Sequence, residues 1–184
     1  MHKRNLLILC RRFLIVGFTT LIAACSNDGW KTASREPAGI ALSPSEHQEA
    51  VIEVYGADAY SWRGWFAIHT WIAIKPEKAA EYTVYEVVGW RLKRGLPALH
   101  HYQTSTPDRF WYGAKPKKLL ELRGQKAAQL IPQIESQAEH YPWAEQYTLF
   151  PGPNSNTFPA WIAKQIPDLG LDLPFSAIGS GYAD

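Results

Sequence analysis

Three polar side chains in the sequence, His69, Glu86 and Ser155, could together carry out acyl chemistry. A serine hydroxyl is a poor nucleophile unless a neighbouring base takes its proton, and histidine titrates near neutral pH. A carboxylate beside the imidazole fixes its tautomer and stabilises its cation. The residue types therefore suggest His69 as a general base, Ser155 as a nucleophile and Glu86 as the group that orients the base.

Each of these residues also has a purely structural interpretation. His69 lies in a strongly apolar stretch and fits a hydrogen-bonded core histidine. Glu86 fits a buried acid that pairs with an arginine such as Arg109. Ser155 fits a helix N-cap, which contributes about 1 kcal/mol. The sequence leaves the catalytic and the structural interpretations open.

The stretch that contains Ser155 predicts the start of a helix. Residues 151–153 form a Pro-Gly-Pro turn, and Pro159 fits the first turn of a helix. Free backbone N–H groups at a helix N-terminus favour negative charge, which suits a nucleophile or an anion. The expected cap is Asn154, Ser155 or Asn156, and the polar residues predicted to bind a ligand there are Asn154, Asn156 and Thr157.

The elements that must position these residues form one α+β domain. Residues 65–74 are apolar on both faces, which predicts a central strand covered on both sides. Residues 82–90 predict a second strand, paired with the first in a hairpin, with Glu86 among apolar neighbours. We expect a small, mainly antiparallel sheet packed with helices. Further strands are predicted at 51–55, 109–112, 118–123 and 147–150, a loop at 91–106, and a helix at 125–139 that Pro132 should kink or delay.

Two other groups of residues are candidate sites. Asp108, Arg109 and Trp111 lie in an aromatic run that could line a groove for sugars or acyl chains, although core packing and an ion pair explain them equally well. The adjacent His100 and His101 would point different ways on a strand, and no carboxylate cluster accompanies them. No metal site and no cofactor are predicted.

The N-terminus has the pattern of a bacterial lipoprotein. Residues 1–24 form a basic leader and a short apolar run, which is typical of a secretory signal, and residues 21–25 resemble a lipobox that ends at Cys25. This resemblance implies that Cys25 is lipidated, and Ser26 after it implies sorting to the outer membrane, facing the periplasm. Ordinary cleavage beside a chance cysteine is the alternative. Residues 25–45 then form a tether and 46–184 a single globular domain.

Composition excludes several classes of function. Removing residues 1–24, which hold four basic and no acidic residues, leaves 15 basic against 17 acidic residues, so no basic patch argues for nucleic acid. The cysteines are Cys10 in the leader and Cys25 at the proposed lipid site. Disulfides, zinc–thiolate sites and cysteine nucleophiles are therefore excluded from the domain.

Four motifs resemble a bacterial family known as domain of unknown function 3750, which brings no established activity. They are Phe66-Ala67-Ile68-His69-Thr70-Trp71, Tyr85-Glu86-Val87-Val88-Gly89-Trp90, Pro107-Asp108-Arg109 and Pro151-Gly152-Pro153-Asn154-Ser155-Asn156-Thr157-Phe158.

The order of a strand histidine before an Asn-Ser-Asn-Thr-Phe helix start is also similar to circularly permuted papain-like domains of the NlpC and lecithin–retinol acyltransferase groups. That resemblance implies a permuted papain-like fold with His69 as base, Ser155 at the nucleophile position and Glu86 as the third polar residue. Serine stands where those enzymes have cysteine.

Two functions follow from these patterns, and the sequence does not decide whether the protein is an enzyme. One is a lipid-anchored envelope hydrolase or acyltransferase that acts at His69 and Ser155 on a peptide or acyl substrate. The other is a non-catalytic envelope lipoprotein that binds a peptidoglycan or lipid component, or a protein partner, through the same groove.

Overall fold

The computed structural model describes residues 29–183, and their contacts divide the chain between Ala33 and Ser34. The first unit contains a four-residue helix, α1 (Gly29–Thr32). The second contains two helices and a five-stranded sheet, so the predicted α+β class is confirmed. Its elements are β1 (Val51–Asp58), β2 (Ile68–Lys75), β3 (Tyr82–Val87), β4 (Leu99–Thr104), β5 (Lys117–Arg123), α2 (Gly124–Glu139) and α3 (Thr157–Gln165), with 3-10 helices at Ser61–Trp65, Gly89–Arg94, Pro167–Leu169 and Ser180–Ala183.

The sheet is antiparallel throughout, in the order β4-β3-β2-β1-β5. The predicted hairpin between β2 and β3 is present, with Trp71 opposite Glu86. Because β2 lies between β1 and β3, its backbone is paired on both edges, as expected for the most apolar strand in the chain.

Alternation of side chains along β2 separates two hydrophobic cores. Ile72 and Ile74 pack with α2 and α3 on one face of the sheet, which we call the helix face. Trp71 and Ala73 pack on the opposite face with residues of the loop between β4 and β5, and we call this the loop face. The prediction that β2 is covered on both sides is confirmed.

Helix α2 packs one apolar stripe on the sheet and is not delayed by its proline. It begins immediately after β5 and continues through Pro132. An interior proline costs about 3 kcal/mol, while burial of each large aliphatic side chain contributes about 1.5–3 kcal/mol. The stabilisation from burying the stripe outweighs that cost. The buried residues of the stripe are Ala127, Leu130, Ile131, Ile134 and Ala138.

Several predicted boundaries are wrong. The stretch predicted as a loop contains β4, and residues 147–150 form no strand. Residues 109–112 hold only isolated bridges, Pro37 with Arg109 and Trp111 with Ala114. The strand predicted at 65–74 begins later, at Ile68, and Trp65 is instead the last residue of a 3-10 helix, Ser61–Trp65.

Candidate functional site

A buried carboxylate, Glu86, joins the two partners proposed for it from the sequence. His69 Nε2 lies 2.8 Å from Glu86 Oε1, and Arg109 Nη2 donates to Glu86 Oε2 at 2.7 Å. The side chains of His69 and Glu86 are only 7% and 2% exposed. Glu86 is therefore satisfied on both oxygens, once by an imidazole and once by a guanidinium.

The strands and one loop bring these groups together. His69 on β2 and Glu86 on β3 belong to neighbouring strands and point to the loop face. The loop that follows β4 supplies Arg109 and then Trp111, whose ring stacks on His69 with centroids 3.6 Å apart and an interplanar angle of 4°. Arg109 is held further by its Nε, which donates to the Tyr102 hydroxyl at 3.0 Å.

Burial and charge shift the protonation equilibria of this cluster. Burial lowers the pKa of His69, and the contact with Glu86 only partly offsets it. Burial alone would raise the pKa of Glu86, but His69, Arg109 and His100 outweigh that effect and hold it below its usual value. Burial would lower the pKa of Arg109, yet Glu86 and Tyr102 raise it overall. The cluster at neutral pH is an ionised Glu86 paired with a charged Arg109 beside a neutral His69.

The charge state fixes the tautomer of His69. An ionised carboxylate only accepts hydrogen bonds, so the proton of the neutral imidazole must lie on Nε2, which faces Glu86. The nitrogen left to accept a proton is Nδ1. The ring is thus oriented by a carboxylate, while Trp111 covers one of its faces.

The two adjacent histidines on β4 face opposite sides of the sheet, as expected for a strand. His100 Nδ1 lies 3.0 Å from the Glu86 main-chain oxygen, and burial lowers the pKa of His100. His101 packs against Tyr85. Across residues 29–183, no three His, Cys, Asp or Glu side chains are grouped as metal ligands would be.

The structure does not bring Ser155 to His69. The Thr70 hydroxyl donates to the main-chain oxygen of Ser155 at 3.1 Å, so Ser155 lies on the helix face of the sheet. His69 is the next residue along β2 and points to the loop face. Within residues 29–183, no hydrogen bond joins His69 to Ser155. The predicted base and the predicted nucleophile therefore lie on opposite faces of the sheet, because consecutive strand residues point to opposite faces.

The polar residues around Ser155 bind other parts of the chain. Asn154 Nδ2 donates to the main-chain oxygens of Leu149 and Ile178, and the Thr157 hydroxyl donates to that of Gly179. Asn156 Nδ2 donates to Ile68 and Ile178, and its Oδ1 accepts from Thr70.

Helix α3 begins at Thr157 with Asn156 in the N-cap position, but no side chain caps it. The predicted capping bond is therefore absent. Instead, the side chains of Asn154, Asn156 and Thr157 fasten the C-terminal segment to the sheet.

Asp108 has a similar fastening role. Its Oδ2 accepts from the backbone N–H groups of Ile40 and Ala41 at 2.6 and 3.1 Å. The Tyr82 hydroxyl donates to the main-chain oxygen of Leu42. Residues 37–42, within the stretch assigned to a tether from sequence, thus pack on the loop face.

Two residues of the site were not singled out from the sequence. Tyr102 supports Arg109 from a strand that was not predicted, and Trp90 stacks on Trp111 with centroids 5.7 Å apart. The sequence pattern places Trp90 at the end of the strand predicted at 82–90. The glycine before it, Gly89, packs so closely against Tyr147 that a side chain there would clash with the ring.

The fold and this cluster define an α+β domain with an antiparallel sheet and a buried His–Glu–Arg centre capped by stacked indoles. The chain belongs to the family described as protein of unknown function (DUF3750), whose family model matches residues 49–182. Neither curated proteins nor solved structures gave a match to the chain. No helix in the described part of the chain is long and apolar enough to cross a membrane.

Proposed function

We propose that this protein is a lipid-anchored protein of the bacterial envelope that binds a glycan component of the cell wall without catalysis. The observation that carries the proposal is the ladder of rings formed by His69, Trp111 and Trp90. Trp111 stacks on both His69 and Trp90, and Trp90 is 46% exposed. The ladder therefore ends in an indole available to a ligand.

An exposed indole on a rigid support suits the flat C–H face of a sugar ring. Binding sites combine aromatic surfaces with a few fixed polar groups, and immobilised rings lose little entropy when they bind. Arg109 lies beside the ladder with its guanidinium carbon 5.4 Å from the Trp111 ring centroid, and about a quarter of its side chain is exposed. It offers a polar partner next to the stacking surface. The buried Glu86 then serves to hold Arg109 and His69 in place.

The binding proposal is tested by sedimentation with purified peptidoglycan. Trp90→Ala should weaken binding about tenfold, the change expected when an interface residue contributing about 1.4 kcal/mol is removed. Trp62→Ala is the matched control, because Trp62 is comparably exposed at 56% but does not belong to the ladder. Trp90→Phe should restore part of the binding. If both alanine variants bind like the unmodified protein, the ladder is not the binding surface.

The competing function is the hydrolase or acyltransferase predicted from His69 and Ser155, two residues that lie on opposite faces of the sheet. In favour of it, His69 is oriented by a carboxylate, as a catalytic base would be. A fluorophosphonate probe separates the two functions, since it labels activated serines. We expect no labelling of the folded protein. Labelling that disappears in Ser155→Ala would establish the enzyme and overturn the binding proposal.

Lipid anchoring is proposed from Cys25, which lies outside the described residues. Cys25→Ala should lower the mass of the protein by that of the acyl groups and release it from membranes washed at high salt. Unchanged fractionation and mass would remove the anchor from the proposal and leave the glycan site untouched.

A further inference from the structure

All large, exposed apolar side chains of the second unit lie in four connecting segments, and none lies on α2 or in the turn between β2 and β3. One segment connects β1 to β2 and a second connects β3 to β4. The third precedes α3 and the fourth follows it. The residues are Trp62, Trp65, Phe66, Trp90, Leu96, Leu149, Phe150, Phe175 and Tyr182.

Hydrogen bonds and packing bring these segments together at one end of the sheet. Ile68 at the start of β2 donates its N–H to Ser176, which follows Phe175. Leu99 at the start of β4 donates to Ala144, in the segment before α3. A side chain on Gly89 would meet the Tyr147 ring at 2.5 Å, which places the connection between β3 and β4 against that same segment. The exposed rings therefore share one end of the domain, which we call the aromatic pole.

We infer that the aromatic pole docks on the surface of an anionic lipid bilayer. Tryptophan and phenylalanine with arginine and lysine are the residues that partition into the membrane–water interface. Trp65 is 88% exposed and Phe175 is fully exposed. Exposure of such large apolar side chains to water is unfavourable, and insertion into a membrane interface would remove it.

Basic residues at the aromatic pole favour anionic lipid over other apolar partners. The 3-10 helix Gly89–Arg94 carries three basic residues, Arg91, Lys93 and Arg94, and no acidic one. The acidic Glu145, Asp168 and Asp172 lie in the segments before and after α3, whereas residues 59–67 and 88–98, which connect β1 to β2 and β3 to β4, contain no acidic residue. Positive charge is therefore concentrated on this side of the pole. Such a cluster attracts anionic headgroups over a distance of about one Debye length, ~10 Å at 0.1 M salt.

The chain also enters the folded unit at this end. The Ser34 main-chain oxygen accepts from Gly113, and the preceding Tyr112 ring lies 5.4 Å from Tyr60 in the connection between β1 and β2. Cys25 precedes Ser34 by nine residues, which span at most about 30 Å when extended. A lipid on Cys25 would keep the pole within reach of the bilayer. Trp90 belongs to both the pole and the glycan ladder, but the docking rests mainly on the other exposed residues of the pole and does not require the lipid.

The test uses the full chain and places a reporter dye first at the aromatic pole and then, in a second protein, at the opposite end of the sheet. Cys10 and Cys25, the two cysteines of the sequence, are both replaced by serine, so that membrane attachment through lipid is removed. An environment-sensitive nitrobenzoxadiazole dye is then attached to Phe175→Cys, or to Glu77→Cys in the turn between β2 and β3 as the matched control. Both positions are exposed.

With vesicles of phosphatidylethanolamine and phosphatidylglycerol, the dye at position 175 should shift to the blue and brighten, while the dye at 77 stays aqueous. The shift should weaken with phosphatidylcholine vesicles, at high salt, and in the triple variant Arg91→Gln, Lys93→Gln, Arg94→Gln. An aqueous dye at 175 in vesicle-bound protein, or equal shifts at both positions, would overturn the proposal. So would a dye at 175 already buried without vesicles, which would assign the pole to a second copy of the chain.

Discussion

Glu86 holds the buried polar cluster of the loop face together. It is 2% exposed, and its two oxygens are taken by His69 and Arg109. Removing one member of a buried ion pair leaves the other charge without compensation, which typically destabilises a protein by about 3–5 kcal/mol. We therefore expect Glu86→Gln to lower the free energy of unfolding, measured in urea, by about that amount.

Glu77→Gln is the control for this measurement. Glu77 pairs with Lys78 at 3.4 Å, and both side chains are mostly exposed, so its replacement should change stability by less than about 0.5 kcal/mol. Glu86→Gln and Arg109→Gln should also be less than additive in combination, because each removes the same pair. Additive effects, or a Glu86→Gln protein as stable as the Glu77→Gln control, would contradict the central role of Glu86.

His69 makes stability depend on pH. Burial holds the pKa of folded His69 below its usual value near 6.5, so the unfolded chain takes up a proton first as the pH falls. The contribution of neutral His69 to stability is present above about pH 6.5 and is lost below it. Urea unfolding at steps from pH 7.5 to 5 should show falling stability, and His69→Gln should flatten that slope. An unchanged slope in His69→Gln would assign the pH dependence to other groups, such as His100.

At the scale of elements, the start of α3 packs against the C-terminal segment and is hydrogen-bonded to it. Gly179 has φ +96°, and a Cβ atom there would lie 2.1 Å from Asn154 Nδ2. Gly179→Ala must displace Asn154 and so disrupt the bonds of Asn154 to Leu149 and Ile178.

The matched control is Gly170→Ala, because Gly170 has φ +66° but nothing within 4 Å of its would-be Cβ. The control should lose about 1 kcal/mol from backbone strain alone. Gly179→Ala should lose at least about twice as much, since buried polar groups lose their partners as well. Equal thermal shifts for the two variants would show that the Asn154 contacts contribute little.

The sequence predicts this fold best where side-chain periodicity is strong. The alternation of residues 65–74 and 82–90 predicted a hairpin and placed His69 and Glu86 on neighbouring strands, as the structure has them. β4 was missed because its sequence Leu-His-His-Tyr-Gln-Thr is polar and lies at the sheet edge, where little of it is buried.

The position of Ser155 could not be predicted for a different reason. Periodicity tells which residues of a strand share a face, but not which of the two faces a distant helix covers. α3 packs on the helix face with Phe158 and Ile162, and this choice separates Ser155 from His69. Thr70 is the single polar residue on that face of β2, and it is adjacent to His69 in the sequence.

At the scale of the whole molecule, the C-terminal segment completes a sheet and helix that are distant from it in sequence. The main-chain oxygen of Ser176 accepts from Ile68, that of Ile178 from Asn154 and Asn156, and that of Gly179 from Thr157. Each buried donor that loses its partner costs about 1–3 kcal/mol. The sum approaches the about 5–15 kcal/mol that stabilises an ordinary domain.

A chain that ends at Pro174 should therefore lose cooperative thermal unfolding and the near-ultraviolet circular dichroism of its packed aromatic residues. Phe175→Ser in the full chain is the control, because Phe175 is fully exposed and its replacement should leave both signals intact. If the shortened chain unfolds cooperatively within a few degrees of the control, the segment is an accessory and the polar residues at the start of α3 are satisfied by water. If it does not fold, the Asn-Ser-Asn-Thr sequence is explained by the carbonyl groups that it binds within its own chain.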